Sequence, residues 1–294
     1  MNFLSDNQKG SFYAIISGLC YGLLGYFGVT LMNSGFSIAG MLFWRFLIAT
    51  LFMLVILIPE YKTLLQSHKE SLKVIIYGVT FYSGSAIIYF ISSKYIGTGL
   101  AMVIFFTYPA IVMLFNFLFL QAAISKTYYL AFIMIIVGMV CLADIQDASL
   151  DIVGIGLGLL CAVFYSGYII ASKESRVPPM LSTLMVSIGG AITCFILSCK
   201  DPSFCVPINT EQWLNIFGVA IICTVIPILL LLQGLKYISS EKASILSVLE
   251  PVVVVIVGIT LLNEQINNMQ IIGIIIVLSG AVLTLFSNST PHFK

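Results

Sequence analysis

With 294 residues, 60% of them hydrophobic and only 9% charged, this chain cannot cover itself with polar surface, since soluble domains carry about 25% charged residues. Its solvent is lipid. A formal net charge of +1 excludes a broadly basic nucleic-acid binder, so the expected partners are the bilayer and a small-molecule substrate, with no nucleic acid.

A membrane-spanning helix needs about 20 apolar residues, and ten such segments follow one another: about 10–32, 38–59, 72–92, 97–120, 127–144, 153–173, 179–199, 212–235, 242–262 and 268–288. The first carries Tyr21 and Tyr26, with Gly22, Gly25 and Gly28 at every third position. Its apolar run is too long for a cleaved leader, and no A-x-A site follows. The second holds Arg45 about seven residues from the end nearer residue 38. That guanidinium is expected to snorkel to headgroups, to pair with a carbonyl cluster, or to contact an anion. Tyr82 and Tyr89 lie in the third span; Phe106, Tyr108 and Pro109 lie in the fourth. The sixth opens on "GIGLGLL" (154–160) and continues to Phe164, Tyr165 and Tyr168. No strand precedes those glycines, so they read as helix-packing devices rather than a dinucleotide loop. Trp213 at the start of the eighth span is an interface-belt residue, and Gln233 is a polar group expected to face inward. The ninth contains "SVLEPVVVV", with Glu250 and Pro251 near mid-bilayer. Five cysteines sit in apolar runs; Cys199 and Cys205 flank "CKDPSFC" and would suit a disulfide only if that loop faced an oxidising space.

Placing the N-terminus in the cytoplasm puts Lys9, Lys62, Lys69, Lys73, Lys126, Lys173, Arg176, Lys236, Lys242 and Lys294 on that side, against Lys94 and Lys200 opposite. The positive-inside rule therefore predicts a cytoplasmic (inner) membrane protein with both termini cytoplasmic. Asp144, Asp147 and Asp151, in a loop without lysine, fit the outer side.

Laying "KYIGTGLAMVIFFTYP" (94–109) over "KYISSEKASILSVLEP" (236–251), a shift of 142, superposes Lys, Tyr, Ile, Ala and Pro. At the same shift Leu120 meets Leu262, Ile124 meets Ile266, Gly138 meets Gly280 and Val140 meets Val282. The chain thus reads as two five-span repeats, 1–147 and 148–294, and an odd span number inverts one against the other. Inverted repeats characterise secondary transporters, with the substrate near the midplane.

The "FWRF" of residues 43–46 and the stretch "LEPVVVVIVGITLLNEQINNMQIIGIIIVLSGAVL" (249–283) resemble the EamA-type branch of the drug/metabolite transporter superfamily. The matching features are Pro251, the Leu261-Leu262-Asn263-Glu264 end, Gln270 to Gly273, and Gly280. The resemblance covers the whole chain and implies a basket of ten helices around a central cavity, lined mainly by spans 1, 3, 4, 6, 8 and 9. Its members move amino acids, other metabolites and nucleosides.

The expected architecture is accordingly all-α and polytopic: ten transmembrane helices in two inverted repeats around a central cavity. Glu250 is the sharpest candidate, because a charge at that depth costs about 2.5–3.5 kcal/mol. It must face the interior, find a partner or carry a proton. The reading is a substrate-amine or proton site; the competing one is a neutral carboxyl locking two helices. Tyr108, its repeat counterpart, joins Tyr82, Tyr21, Tyr165, Phe164, Gln233 and Tyr89 as expected substrate contacts. Pro251 and Pro109 would free the carbonyls of Ser247 and Phe105, and with Arg45 they are assigned gating or structural roles. The only histidines are His68 and His292, outside the spans, so no enzyme, metal or cofactor is expected. The function expected is a secondary transporter for an amino acid, amine or heteroaromatic metabolite, with protons a candidate coupling ion. A channel-like or receptor-like protein is the alternative.

Overall fold

The computed structural model describes residues 5–60, 68–121, 125–143, 151–199, 201–261 and 266–286. Lys62, Ile124, Asp144, Asp147, Lys200, Leu262, Asn263, Glu264, His292 and Lys294 lie outside the described residues.

Ten helices carry the fold among the described residues: α1 (Asp6–Asn33), α2 (Ile38–Leu57), α3 (Lys69–Ile96), α4 (Thr98–Phe119), α5 (Lys126–Leu142), α6 (Ile152–Glu174), α7 (Pro179–Ser198), α8 (Thr210–Gly234), α9 (Ser240–Leu261) and α10 (Asn268–Leu285). All but α5 are long and apolar enough to cross a bilayer unaided; α5 has 17 residues. No strand is present among the described residues, as lipid demands of an open chain whose backbone must bond to itself. The starts are written in the sequence. Ser5, Ser37, Ser125, Asp151, Asn209, Ser239 and Asn267 each accept a backbone N–H in the first turn of the following helix. Gln270, the opening of the tenth-span motif, closes a reciprocal capping box with Asn267.

We call the face where α1 begins the near face and the opposite one the far face. The two repeats interleave across the bundle. α1 packs on α8 and α9, and its counterpart α6 packs on α3 and α4; α2 pairs with α7, and α5 with α10. Glycine permits the closest of these approaches. A methyl group at Gly10 would overlap Tyr237 and Ile238, and one at Gly154 would overlap Tyr95 and Ile96, the residues 142 positions earlier. In the α5–α10 seam, Gly138 meets Gly273 while Gly280 meets the Ala131 carbonyl. Of the first-span triplet only Gly22 is so constrained, against Val253 and the Glu250 carbonyl; Gly25 and Gly28 have room.

The two helices whose prolines match across the repeat, α4 and α9, are broken rather than bent. α4 runs from Thr98 to Phe105 and resumes at Tyr108; α9 runs from Ser240 to Ser247 and resumes at Glu250. The breaks fall at the 142-residue offset and share a geometry: Phe106 has φ −72°, ψ 8° and Val248 φ −71°, ψ 6°. Tighter i→i+3 bonds replace the α-ladder there, from Thr107 to Ile104 at 3.0 Å and from Leu249 to Leu246 at 3.4 Å.

Candidate functional site

The polar groups of the bundle meet at the mid-points of their helices. Two of those helices prepare for it by loosening their own backbone. α3 contains a π-helical turn at Gly78–Tyr82, and α8 a longer one at Gly218–Val225. In each a hydroxyl bonds five residues back: Ser83 to the Gly78 carbonyl and Thr224 to the Val219 carbonyl, both at 2.8 Å. π-turns of this kind release backbone groups for other partners, and here Arg45 takes the Cys223 carbonyl of the α8 turn.

Arg45 is only 4% exposed. Its Nε donates to the Thr224 hydroxyl at 2.5 Å, and Nη2 donates to the Cys223 carbonyl at 3.1 Å and the Tyr82 hydroxyl at 3.3 Å. The guanidinium also lies 5.3 Å from the Phe46 ring centroid. It therefore does not snorkel. Directional bonds to one carbonyl and two hydroxyls hold it toward α8 and α3. Tyr82 passes the network on to Tyr21, with 3.1 Å between the two hydroxyls.

Glu250 is the first residue of the resumed α9, where the N-terminal helix dipole favours an anion. Leu249 and Pro251 beside it are buried, yet Glu250 keeps part of its surface accessible. No hydrogen bond holds its carboxylate among the described residues. The ion pairs present there are Lys9–Asp6 and Lys73–Glu70, both at partly exposed i,i+3 positions. Glu250 instead interacts at a distance with Arg45, Tyr82, Tyr89, Tyr108 and Tyr165. Its electrostatic neighbours are thus four phenols and one cation, none of which donates a hydrogen bond to it among the described residues.

The phenols pack together. Tyr165, half-buried, meets Tyr108 edge-on at 4.8 Å between centroids and Phe105 at 5.3 Å; Tyr89 meets Phe105 at 5.8 Å. Tyr168 packs edge-on against Tyr82 at 5.0 Å. Tyr108 is nearly sealed, and its hydroxyl donates to the Ser244 carbonyl at 3.0 Å, which makes it a strut between α4 and α9.

Six expected residues thus come together: Glu250, Arg45, Tyr21, Tyr82, Tyr89 and Tyr165. Tyr108 supports them, and Pro109 and Pro251 are buried in the first turns of the two resumed segments. Two expectations are corrected. Phe164 turns away from the phenols to pack on Gly84 and on Phe81, 6.1 Å between centroids. Phe81 itself lines a lateral groove of about 470 Å³ with Tyr77, Phe115 and Phe119. Gln233 lies in the last turn of α8, next to the Gly234 that packs on Gly10 at the near face, and not among the phenols around Arg45. Cys223 and Thr224 escaped notice in the sequence because a π-turn leaves no mark on apolar periodicity. Cys199 and Cys205 are both thiols. No cluster of metal-binding side chains occurs among the described residues.

The sequence model of the EamA-like transporter family matches twice, over residues 8–143 and 152–286. An uncharacterized transporter of Bacillus subtilis, YxxF, is 22% identical over 96% of this chain and 92% of its own length. An uncharacterized transporter of Archaeoglobus fulgidus is 26% identical, and that match spans 44% of this chain and 47% of the relative. An uncharacterized protein of Methanocaldococcus jannaschii is 36% identical over 45% of this chain and 96% of its own length. A solved crystal structure shares the fold at a TM-score of 0.79, with 17% identity over 93% of this chain and 95% of that one.

Proposed function

This chain belongs to the EamA-like transporter family and is a multi-pass membrane transporter, and from that premise we propose that it carries a small amine or zwitterion, an amino acid or a related heteroaromatic metabolite, by alternating access. One observation carries the reading: the Glu250 carboxylate has no hydrogen-bond partner among the described residues and lies within electrostatic reach of a tethered guanidinium. Three of the five Arg45 N–H groups are engaged by Thr224, Cys223 and Tyr82. The Nη1 pair has no partner among the described residues. Glu250 would receive the ammonium of the solute and Arg45 its anionic end, with Tyr89, Tyr165 and Phe105 as flat walls for a ring or aliphatic body. The deep charges give physical support to this role, since each costs several kcal/mol at the bilayer centre by the insertion scales and needs compensation. The assigned setting is the cytoplasmic membrane with both termini cytoplasmic, from the lysine and arginine asymmetry.

The test is flux in proteoliposomes, over a panel of amines, amino acids and heteroaromatic acids, with and without a proton gradient. A carrier gives saturable uptake and counterflow. Glu250→Gln should reduce flux about tenfold or more, the equivalent of one charge-assisted hydrogen bond at ~1.4 kcal/mol per decade, and should flatten its dependence on pH while expression holds. Unchanged kinetics across pH in that variant would remove Glu250 from the mechanism.

A further inference from the structure

The two broken helices each offer one segment to the near side and one to the far side of their breaks, and the two pairs are unequal. On the near side, Tyr108–Phe119 of α4 lies against Ser240–Ser247 of α9, every residue of which is buried. Polar bonds fasten this arm. Tyr108 donates to the Ser244 carbonyl at 3.0 Å, and the Asn116 amide donates to the Ser240 hydroxyl at 2.8 Å and to the Glu241 carboxylate. Glu241 also lies within electrostatic reach of Lys173, whose ammonium is itself bound to the carbonyls of Leu235 and Ile238 at the end of α8.

On the far side the repeat supplies the same backbone with different chemistry. At the 142-residue offset Asn116 becomes Gly258, Ser240 and Glu241 become Thr98 and Gly99, and Ser244 becomes Met102. No polar bond joins Thr98–Phe105 to Glu250–Leu261 among the described residues. In the segment Thr98–Phe105 only Ala101 and Val103 are buried. The two arms are thus bonded toward the near face and unbonded, among the described residues, toward the far face, with Glu250 starting the far segment of α9.

We infer that Asn116, with Ser240 and Glu241, is a one-sided latch that keeps the Glu250 site shut from the near face and leaves it open to the far face at rest. The inference rests on the transport reading for its purpose, though not for its detection. The latch must release whenever the site turns to the near face. The opposite arm carries no equivalent bond among the described residues, so the two gates open with different ease, and the resting protein loads from the far side.

The test uses the full chain in proteoliposomes, with a reporter thiol in each arm at repeat-equivalent positions, Met102→Cys or Ser244→Cys. Modification by a membrane-impermeant maleimide is read at the reporter peptide by mass spectrometry, so native cysteines do not interfere. Native Asn116 should give fast modification at position 102 and slow modification at 244. Adding Asn116→Leu should slow the first and speed the second, each about tenfold. Glu241→Gln retains an acceptor oxygen for the Asn116 amide and should keep the native pattern. Rates within twofold of native in the Asn116→Leu chain overturn the latch, as does Glu241→Gln opening the near face equally. A chain with Asn116→Cys and Ser240→Cys, oxidised to join them, serves as the second variant. It should protect position 244 while leaving 102 reactive, and a reactive 244 overturns the proposal. Shifted labelling with no flux of any solute would sink the transport reading alone; flux with unshifted labelling would sink the latch alone.

Discussion

Arg45 and Glu250 illustrate how differently two buried charges are handled. Arg45 binds the chain through three hydrogen bonds, whereas Glu250 has no such bond among the described residues. The Arg45 network depends on geometry more than on charge, which yields a sharp expectation. Lysine offers a point cation without a planar fork, so Arg45→Lys should leave at least one of the Cys223 carbonyl and the Tyr82 hydroxyl without its donor. Thr224→Val removes the hydroxyl that joins Val219 to Arg45 without altering side-chain volume much. Leaving a buried partner unsatisfied costs about 1–3 kcal/mol, so either variant should lower thermal stability in detergent by that order and reduce flux together with it. Thr224→Val with native stability and native flux would show that the π-turn does not organise the site. Glu250 was legible in the sequence because a charge inside "SVLEPVVVV" has no bland explanation. Thr224 was not, because a hydroxyl within "AIICTVIP" is ordinary in a membrane helix and its value comes from a backbone bulge. Phe164 and Tyr165 differ by one residue and so by about 100° around their helix. Composition could nominate both, but only packing could choose between them.

At the scale of elements, the matched breaks of α4 and α9 explain what the two prolines do. Each sits second in a resumed segment, where a missing N–H costs nothing because the first turn has no acceptor for it. The proline thus fixes where the second segment starts, and in α9 that start is what places Glu250 on a helix N-terminus. Pro251→Ala restores the N–H and permits the ladder to run through from the Ser247 carbonyl. We expect it to lower turnover by several-fold with a smaller change in apparent affinity, because it stiffens the hinge and leaves the charges in place. A change confined to affinity, measured by initial-rate flux against solute concentration, would argue that the break serves binding alone. The repeat made both prolines legible as a pair. It could not show that the helices stop rather than bend, since proline tolerates either outcome.

The whole molecule obeys the same symmetry, and its consequence is mutual dependence of the halves. α1 and α2 find their main partners in α8, α9 and α7, while α6 and α7 find theirs in α3, α4 and α2. The seam of α5 with α10 also crosses between repeats, held by Gly138 opposite Gly273 and by Gly280 opposite Ala131. This pairing was hidden in the sequence: a 142-residue offset reveals that two units exist, but apolar periodicity does not name the neighbour of any helix. In lipid no hydrophobic force drives helices together, so close van der Waals fit must do so. Gly138→Leu and Gly273→Leu should therefore each cost about 1–3 kcal/mol, the usual range for overpacking, whereas Gly156→Leu, facing open space, should leave the melting temperature unchanged. The same logic governs a chain cut between residues 143 and 151. Each half alone lacks the surface against which most of its helices pack, so neither should purify as a stable monomer, while the two co-expressed should assemble and recover counterflow. Adding Gly138→Leu to the cut chain should then abolish co-purification, because the α5–α10 seam lies between the fragments and no covalent link remains to hold it. If the halves still co-purify with that leucine, the glycine crossing is not what joins them, and the interleaved seams of α1 with α8 and α3 with α6 suffice.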